Sequence, residues 1–191
     1  LAQIAGATGA AGLHGLVNNA GIAIVAPLEY VPLPAMREQF EVNVFGALRV
    51  TQACLPLLKR ARGRIFMISS QSGRISTPFL GPYCASKFAL EGMSDALRLE
   101  LAPCGVQVVL IEPGPVATPI WERSRARAAA LRAQMPARME RDYGPLLSAL
   151  QEQTQAAEGH GISAEACAEP VVAALLARRP KIRVPVGRDA R

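Results

Sequence analysis

Tyr83 and Lys87 stand four residues apart in the stretch YCASKFALEG (83–92) of a 191-residue chain with only three tyrosines. On a helix that spacing is about one turn, so both side chains leave the same face. A phenol beside an ammonium ion is a candidate proton-transfer pair. Unperturbed, the phenol has a pKa near 10 and is a poor base at neutral pH, but a nearby cation favours the phenolate. Ser70 lies thirteen residues before Tyr83, at the end of the apolar run GRIFMISS (63–70). Its hydroxyl could hydrogen-bond a substrate oxygen on which charge develops. Ser69 is the rival, although strand alternation sends it to the opposite side. Asn43 sits in the middle of an otherwise apolar helical stretch, where its side chain competes for backbone hydrogen bonds. Gly46, three residues on, fits a locally irregular helix.

The elements that must position these residues alternate between strand and helix, the pattern of a parallel α/β sheet. LHGLVNNAG (13–21) begins as a short buried strand, and residues 34–60 carry Met36, Phe40, Val44, Leu48 and Leu55 at helical spacing. GRIFMISSQSG (63–73) gives a second strand, and a helix opens at YCASK and runs to about Pro103. VQVVLIEPG (106–114) is a β-branched strand stopped by Pro-Gly. An Ala- and Arg-rich helical region covers roughly 117–157, with breaks expected near Pro136 and at Gly144-Pro145. A helix over 162–179 follows, with Ser163 as N-cap and Pro170 inside it, and KIRVPVG (181–187) closes as a last strand. NNAG, SSQSG and EPGPVAT all fall at the carboxyl ends of strands, where doubly wound sheets bind ligands. Three loops therefore converge on one crevice, and residues 1–191 read as a single domain.

Composition narrows the classes. Half of the residues are hydrophobic and 19% charged, as in a soluble globular chain, and no apolar run is long enough to span a bilayer. The formal charge is +6, but the arginines of residues 122–141 have no interleaved aromatics for stacking on bases. A solvated helical face explains them better than nucleic acid or a membrane. Cys54, Cys84, Cys104 and Cys167 form no C-x-x-C pair and lack a nearby His at zinc-ligand spacing, so no metal site and a reducing cytoplasm are expected.

LVNNAG (16–21), the VN of FEVNVFG (40–46), GRIFMISS, YCASKFALEG and EPGPVAT (112–118) together resemble, in order and spacing, the short-chain dehydrogenase/reductase family. The resemblance is close over residues 13–120 and looser beyond. It implies a Rossmann-like, doubly wound parallel sheet and a catalytic tetrad of Asn43, Ser70, Tyr83 and Lys87, with family spacing favouring Ser70 over Ser69. Tyr83 would be general acid in carbonyl reduction and general base in alcohol oxidation. Asn43 would hold a water joining Lys87 to solvent. NAD or NADP would be bound by Asn19, Ala20, Gly21, Tyr83, Lys87, Pro113, Gly114, Val116 and Thr118. The substrate would be a secondary alcohol or ketone on an apolar skeleton, in a pocket walled by Pro78, Phe79, Leu80, Ile120 and Trp121. Dimers or tetramers would form through the helices around 35–58 and 83–102.

One departure stands out. The family's first strands and the Gly-rich turn that cradles pyrophosphate at a helix N-terminus have no counterpart before Asn18. Gly6, Gly9 and Gly12 are followed by a strand where that turn would need a helix. The expectation is thus an N-terminally truncated dehydrogenase, with the choice between NAD and NADP unreadable. A catalytically inactive fragment, or a non-enzymatic oligomerisation module of the same fold, is the alternative. A serine hydrolase is excluded by the lack of G-x-S-x-G and of a His linked to Ser70.

Overall fold

The computed structural model describes residues 2–187. Four strands, β1 (Gly15–Asn18), β2 (Arg64–Ile68), β3 (Gln107–Pro113) and β4 (Arg183–Val186), pair in parallel in the order β1-β2-β3-β4. Register follows from Gly15 opposite Arg64, Arg64 opposite Gln107 and Leu110 opposite Arg183. β2 and β3 are almost continuously apolar because helices cover both faces.

On one face, Ile65, Met67, Val108 and Leu110 pack against α3 (Ala47–Ala61) and α4 (Gly81–Leu101), through Leu58, Leu90 and Leu97. On the other, Phe66, Val109 and Ile111 meet Ala174 of α7 (Ala164–Leu176). β1 lies at the sheet edge, and its Val17 is 49% exposed. The Arg64 guanidinium, at the start of β2, donates to the carbonyls of Ala174, Leu175 and Ala177 at the end of α7. It thereby satisfies acceptors that every helix C-terminus leaves open.

The chain opens with a short helix, α1 (Ala2–Thr8), and a 3-10 turn through Ala11. Gly12 follows at φ 77°, and a Cβ there would stand 2.5 Å from the Leu57 carbonyl oxygen. Its role is close packing of the chain on α3, while Gly6 and Gly9 have nothing within 4 Å of a built Cβ. None of the three lines the main cavity.

The single helix expected over residues 34–60 is three pieces. α2 (Leu33–Phe40) passes into a π-helical segment, Glu41–Gly46, and then into α3. Asn43 sits inside the π segment, so the irregularity read from Asn43 and Gly46 is present. After β3, α5 (Ile120–Arg132) and α6 (Ala137–Gly159) are separated at Pro136 as expected. The second expected break is absent: α6 runs through Gly144-Pro145. Burial of Met139 and Leu147 against Phe79 outweighs the hydrogen bond that Pro145 cannot donate. Likewise α7 contains Pro170, and its first turn is capped by Ser163, whose Oγ accepts from Ala166 N at 3.1 Å.

Candidate active site

Ser70 ends the stretch after β2 in extended conformation, and its Oγ accepts from Ser72 N at 3.1 Å, starting a 3-10 turn over Gln71–Gly73. α4 begins at Gly81, with Pro82 supplying a helical φ where no intrahelical donor is needed. Tyr83 and Lys87 thus occupy the first two turns and face the end of β2. The Lys87 ammonium donates to the Ile68 carbonyl at 2.7 Å and lies 5.6 Å from the centre of the Tyr83 ring.

Lys87 is 6% exposed, and burial pulls its pKa down to about 8, with the Glu91 carboxylate acting in the opposite direction. Burial pushes the Tyr83 phenol above its ordinary value, and the Ser70 hydroxyl beside it pulls the other way. Desolvation therefore dominates at Tyr83 and works against the phenolate.

A cavity of about 1190 Å³ opens over the carboxyl ends of β1, β2 and β3. Asn19 and Gly21, Ser69 and Ser70, Tyr83 and Lys87, and Pro113, Gly114, Val116 and Thr118 all line it. Two expected residues do not. Ala20 is absent from the lining, as is Asn43, which is 2% exposed. The Asn43 amide is fully engaged: Oδ1 accepts from Ile22 N at 2.9 Å, and Nδ2 donates to Ile22 O and to Ser86 Oγ, each at 3.0 Å. The side chain thus holds the loop after β1 against α4.

The apolar wall divides. Leu80, Ile120 and Trp121 line the main cavity, and Trp121 is fixed by its indole N–H donating to the Val116 carbonyl at 2.7 Å. Pro78 and Phe79 line a separate 680 Å³ hollow instead. Phe79 is turned away by its backbone, at φ 63°, and packs with Met139 and Leu147 while its carbonyl accepts from Ala26 N at 2.9 Å.

Sequence reasoning missed two supports. Gln39 is fully buried and clasps the same loop, its Oε1 accepting from Ile24 N at 2.8 Å and its Nε2 donating to Ile22 O at 2.7 Å. Ser86 donates to the Tyr83 carbonyl at 2.7 Å. Both are polar residues on apolar helical faces one turn from an expected site residue, and that spacing is the signal the sequence carries for them.

The residues present suit a dinucleotide cofactor. The cavity exceeds the ~300–1,000 Å³ usual for one small ligand, leaving room for cofactor and substrate together. At Gly21 a built Cβ would meet nothing closer than Asn43 Oδ1 at 3.5 Å, so the bare backbone there leaves space at the cavity wall. Asn19, Gly21, Pro113, Gly114, Val116, Thr118 and Lys87 would hold the group.

A parallel sheet with helices on both faces, and polar loops gathered at the strand ends, defines a Rossmann-like nucleotide-binding architecture. The sequence pattern of the short chain dehydrogenases matches residues 2–129, and the chain belongs to that family. It is 41% identical over 180 residues to the NADPH-dependent 3-dehydrocapnine reductase of Ornithobacterium rhinotracheale, covering 92% of this chain and 61% of that protein. With the mitochondrial D-beta-hydroxybutyrate dehydrogenase of Rattus norvegicus it shares 42% identity over 137 residues, 70% of this chain and 40% of the relative. The chain thus spans roughly two fifths to three fifths of these relatives' lengths.

Among solved structures, a short-chain dehydrogenase from Streptomyces avermitilis superposes with a TM-score of 0.76 at 27% identity, over 99% of this chain and 65% of that one. A short chain dehydrogenase from Burkholderia cenocepacia J2315, in complex with NADP, gives 0.69 at 28% identity, over 99% and 66%.

Proposed function

We propose that this chain carries the catalytic part of an NAD(P)-dependent oxidoreductase interconverting a secondary alcohol and a ketone on an apolar skeleton. The convergence of Ser70, Tyr83 and Lys87 on the cavity bounded by the three strand-end loops carries this reading. Bound in the cavity, the nicotinamide group supplies or accepts the hydride.

Tyr83 is the proton donor to the carbonyl oxygen in reduction and takes the alcohol proton in oxidation. Ser70 Oγ donates to the same oxygen and stabilises charge as it builds. Lys87, held by the Ile68 carbonyl, presents a cation beneath the Tyr83 ring and lowers the cost of the phenolate once substrate replaces water. Asn43 acts through position alone. Leu80, Ile120, Trp121, Met135 between α5 and α6, and Met139 and Leu150 of α6 supply apolar walls, which fits an apolar substrate.

Exposed Phe45, Val50, Phe88 and Leu99, from the π segment, α3 and α4, support self-association through those helices. The free thiols at Cys54, Cys84, Cys104 and Cys167 fit a reducing, cytoplasmic setting. Among the described residues no helix is long and apolar enough to cross a membrane.

Calorimetric titration of the folded, unaggregated chain with NADPH and, separately, NADH tests the cofactor half of the proposal. Binding of either supports it and leads to a ketone screen. Absence of binding by both, for the chain and for the longest protein that contains it, refutes it.

A further inference from the structure

We propose that Glu91 is a positioning residue for this reaction, its carboxylate holding Lys87 in the protonated state from outside the cavity. The inference rests on the role given to Lys87 above. Glu91 follows Lys87 by one helical turn on α4, so the two share a face, and each is only 6% exposed. An ammonium buried alone reverts toward the neutral amine, and a buried carboxylate one turn away is the charge that resists this. Glu91 does act on Lys87 in that sense.

The surroundings keep the carboxylate's field intact. A Cβ at Gly73 would stand 3.0 Å from Glu91 Cγ and 2.8 Å from Ser69 Oγ, so the glycine lets the Gln71–Gly73 turn close directly over Glu91. Neither Glu91 oxygen has a hydrogen-bond partner among the described residues. In such a site charge is less screened than at the surface.

Other charges face the pair, and none of them neutralises Glu91 on its own. Arg183 of β4 approaches Glu91 Oε2 at 3.3 Å, but the same guanidinium serves Asp95 at 2.6 Å and Glu112 of β3 at 3.3 Å. Arg74, just after the turn, reaches Glu112 at 3.5 Å, and Arg98 reaches Asp95 at 3.6 Å. Tyr83 and Cys84 are the remaining titratable groups on this part of α4. Three carboxylates therefore share the one arginine that touches Glu91. Glu112 shows the resulting excess of negative charge: burial first, and then the charge of Glu91, raise its pKa.

A purely structural Glu91, tying β4 to α4, would affect stability without moving the proton on Lys87. Lysine-15N-labelled protein separates the two roles when the Lys87 Nζ signal, identified by its loss in Lys87→Met, is followed by NMR from about pH 6 to 10. In Glu91→Gln the Lys87 midpoint falls by about one pH unit, and the alkaline limb of the ketone-reduction profile moves down with it. Glu91→Asp, which draws the charge back by one methylene, shows a smaller fall. An unmoved midpoint in folded Glu91→Gln, or in Glu91→Asp if the Gln variant does not fold, overturns the proposal. The NMR titration needs no turnover, so a wild-type protein that reduces nothing counts against the proposed function, and the midpoint still decides the role of Glu91.

Discussion

Asn43 is bonded to Ser86 at 3.0 Å, and Ser86 in turn donates to the Tyr83 carbonyl at 2.7 Å, so the π segment is coupled to the turn of α4 that carries the phenol. Replacing Asn43 with Ala removes the only described partner of Ile22 N–H, while Ile22 C=O keeps its bond from Gln39. Leaving this part-buried donor unpaired costs about 1 kcal/mol, at the lower end of the ~1–3 kcal/mol for a fully buried one. Urea unfolding of Asn43→Ala at neutral pH should show a loss of about 1 kcal/mol, and an unchanged midpoint would contradict the coupling.

Tyr83→Phe keeps the ring and loses the proton. Turnover in the complete protein should fall by about 10²–10⁴-fold. Nucleotide affinity and melting temperature should stay close to wild type, because the phenol oxygen supports no fold-defining bond. Near-normal turnover would remove Tyr83 from the chemistry.

Lys87 links the site to stability. Its folded pKa, about 8, lies below the ordinary 10.5, so between those values the unfolded chain binds more protons than the folded one. Stability from this group therefore rises with pH across that window, and it is lower below pH 8, where a charge must stay buried. Lys87→Met abolishes the term. The wild type should gain stability relative to Lys87→Met between about pH 8 and 10, by up to about 3 kcal/mol, in paired denaturation curves. A constant difference would mean that Lys87 is not desolvated as described.

Trp121 is the chain's only tryptophan and lines the cavity beside the Val116–Thr118 loop. Nicotinamide nucleotide binding should change its emission in a saturable way, with a midpoint matching calorimetry. Trp121→Phe should abolish the optical signal and retain calorimetric binding, since its anchor to Val116 O is a single hydrogen bond.

The strands and the helix that carries Tyr83 and Lys87 were legible because their signals are local. Continuous apolar runs marked β2 and β3, and the spacing of Tyr83 and Lys87 placed both on one face of α4. The π segment was half legible: Asn43 and Gly46 announced an irregularity without stating its form. Pro145 misled because its local cost is overridden by packing of α6 against Phe79, a contact made across the fold. Phe79 itself was misplaced for the same reason, since its backbone conformation is set by the tertiary structure. Arg183 and Glu112 carried no signal in the sequence, because what makes them part of the Lys87 surroundings is the pairing of β3 with β4.

Strand order in the sheet equals strand order along the chain. Each of the four described strands can therefore add to the exposed flank of the one before it as the chain leaves the ribosome. β4 follows the other three described strands and brings Arg183 onto α4, against the buried Glu91 and the half-buried Asp95. Until β4 pairs with β3, Glu91 lacks the guanidinium of Arg183, so the electrostatic setting of Lys87 depends on a strand that follows α4 in the chain.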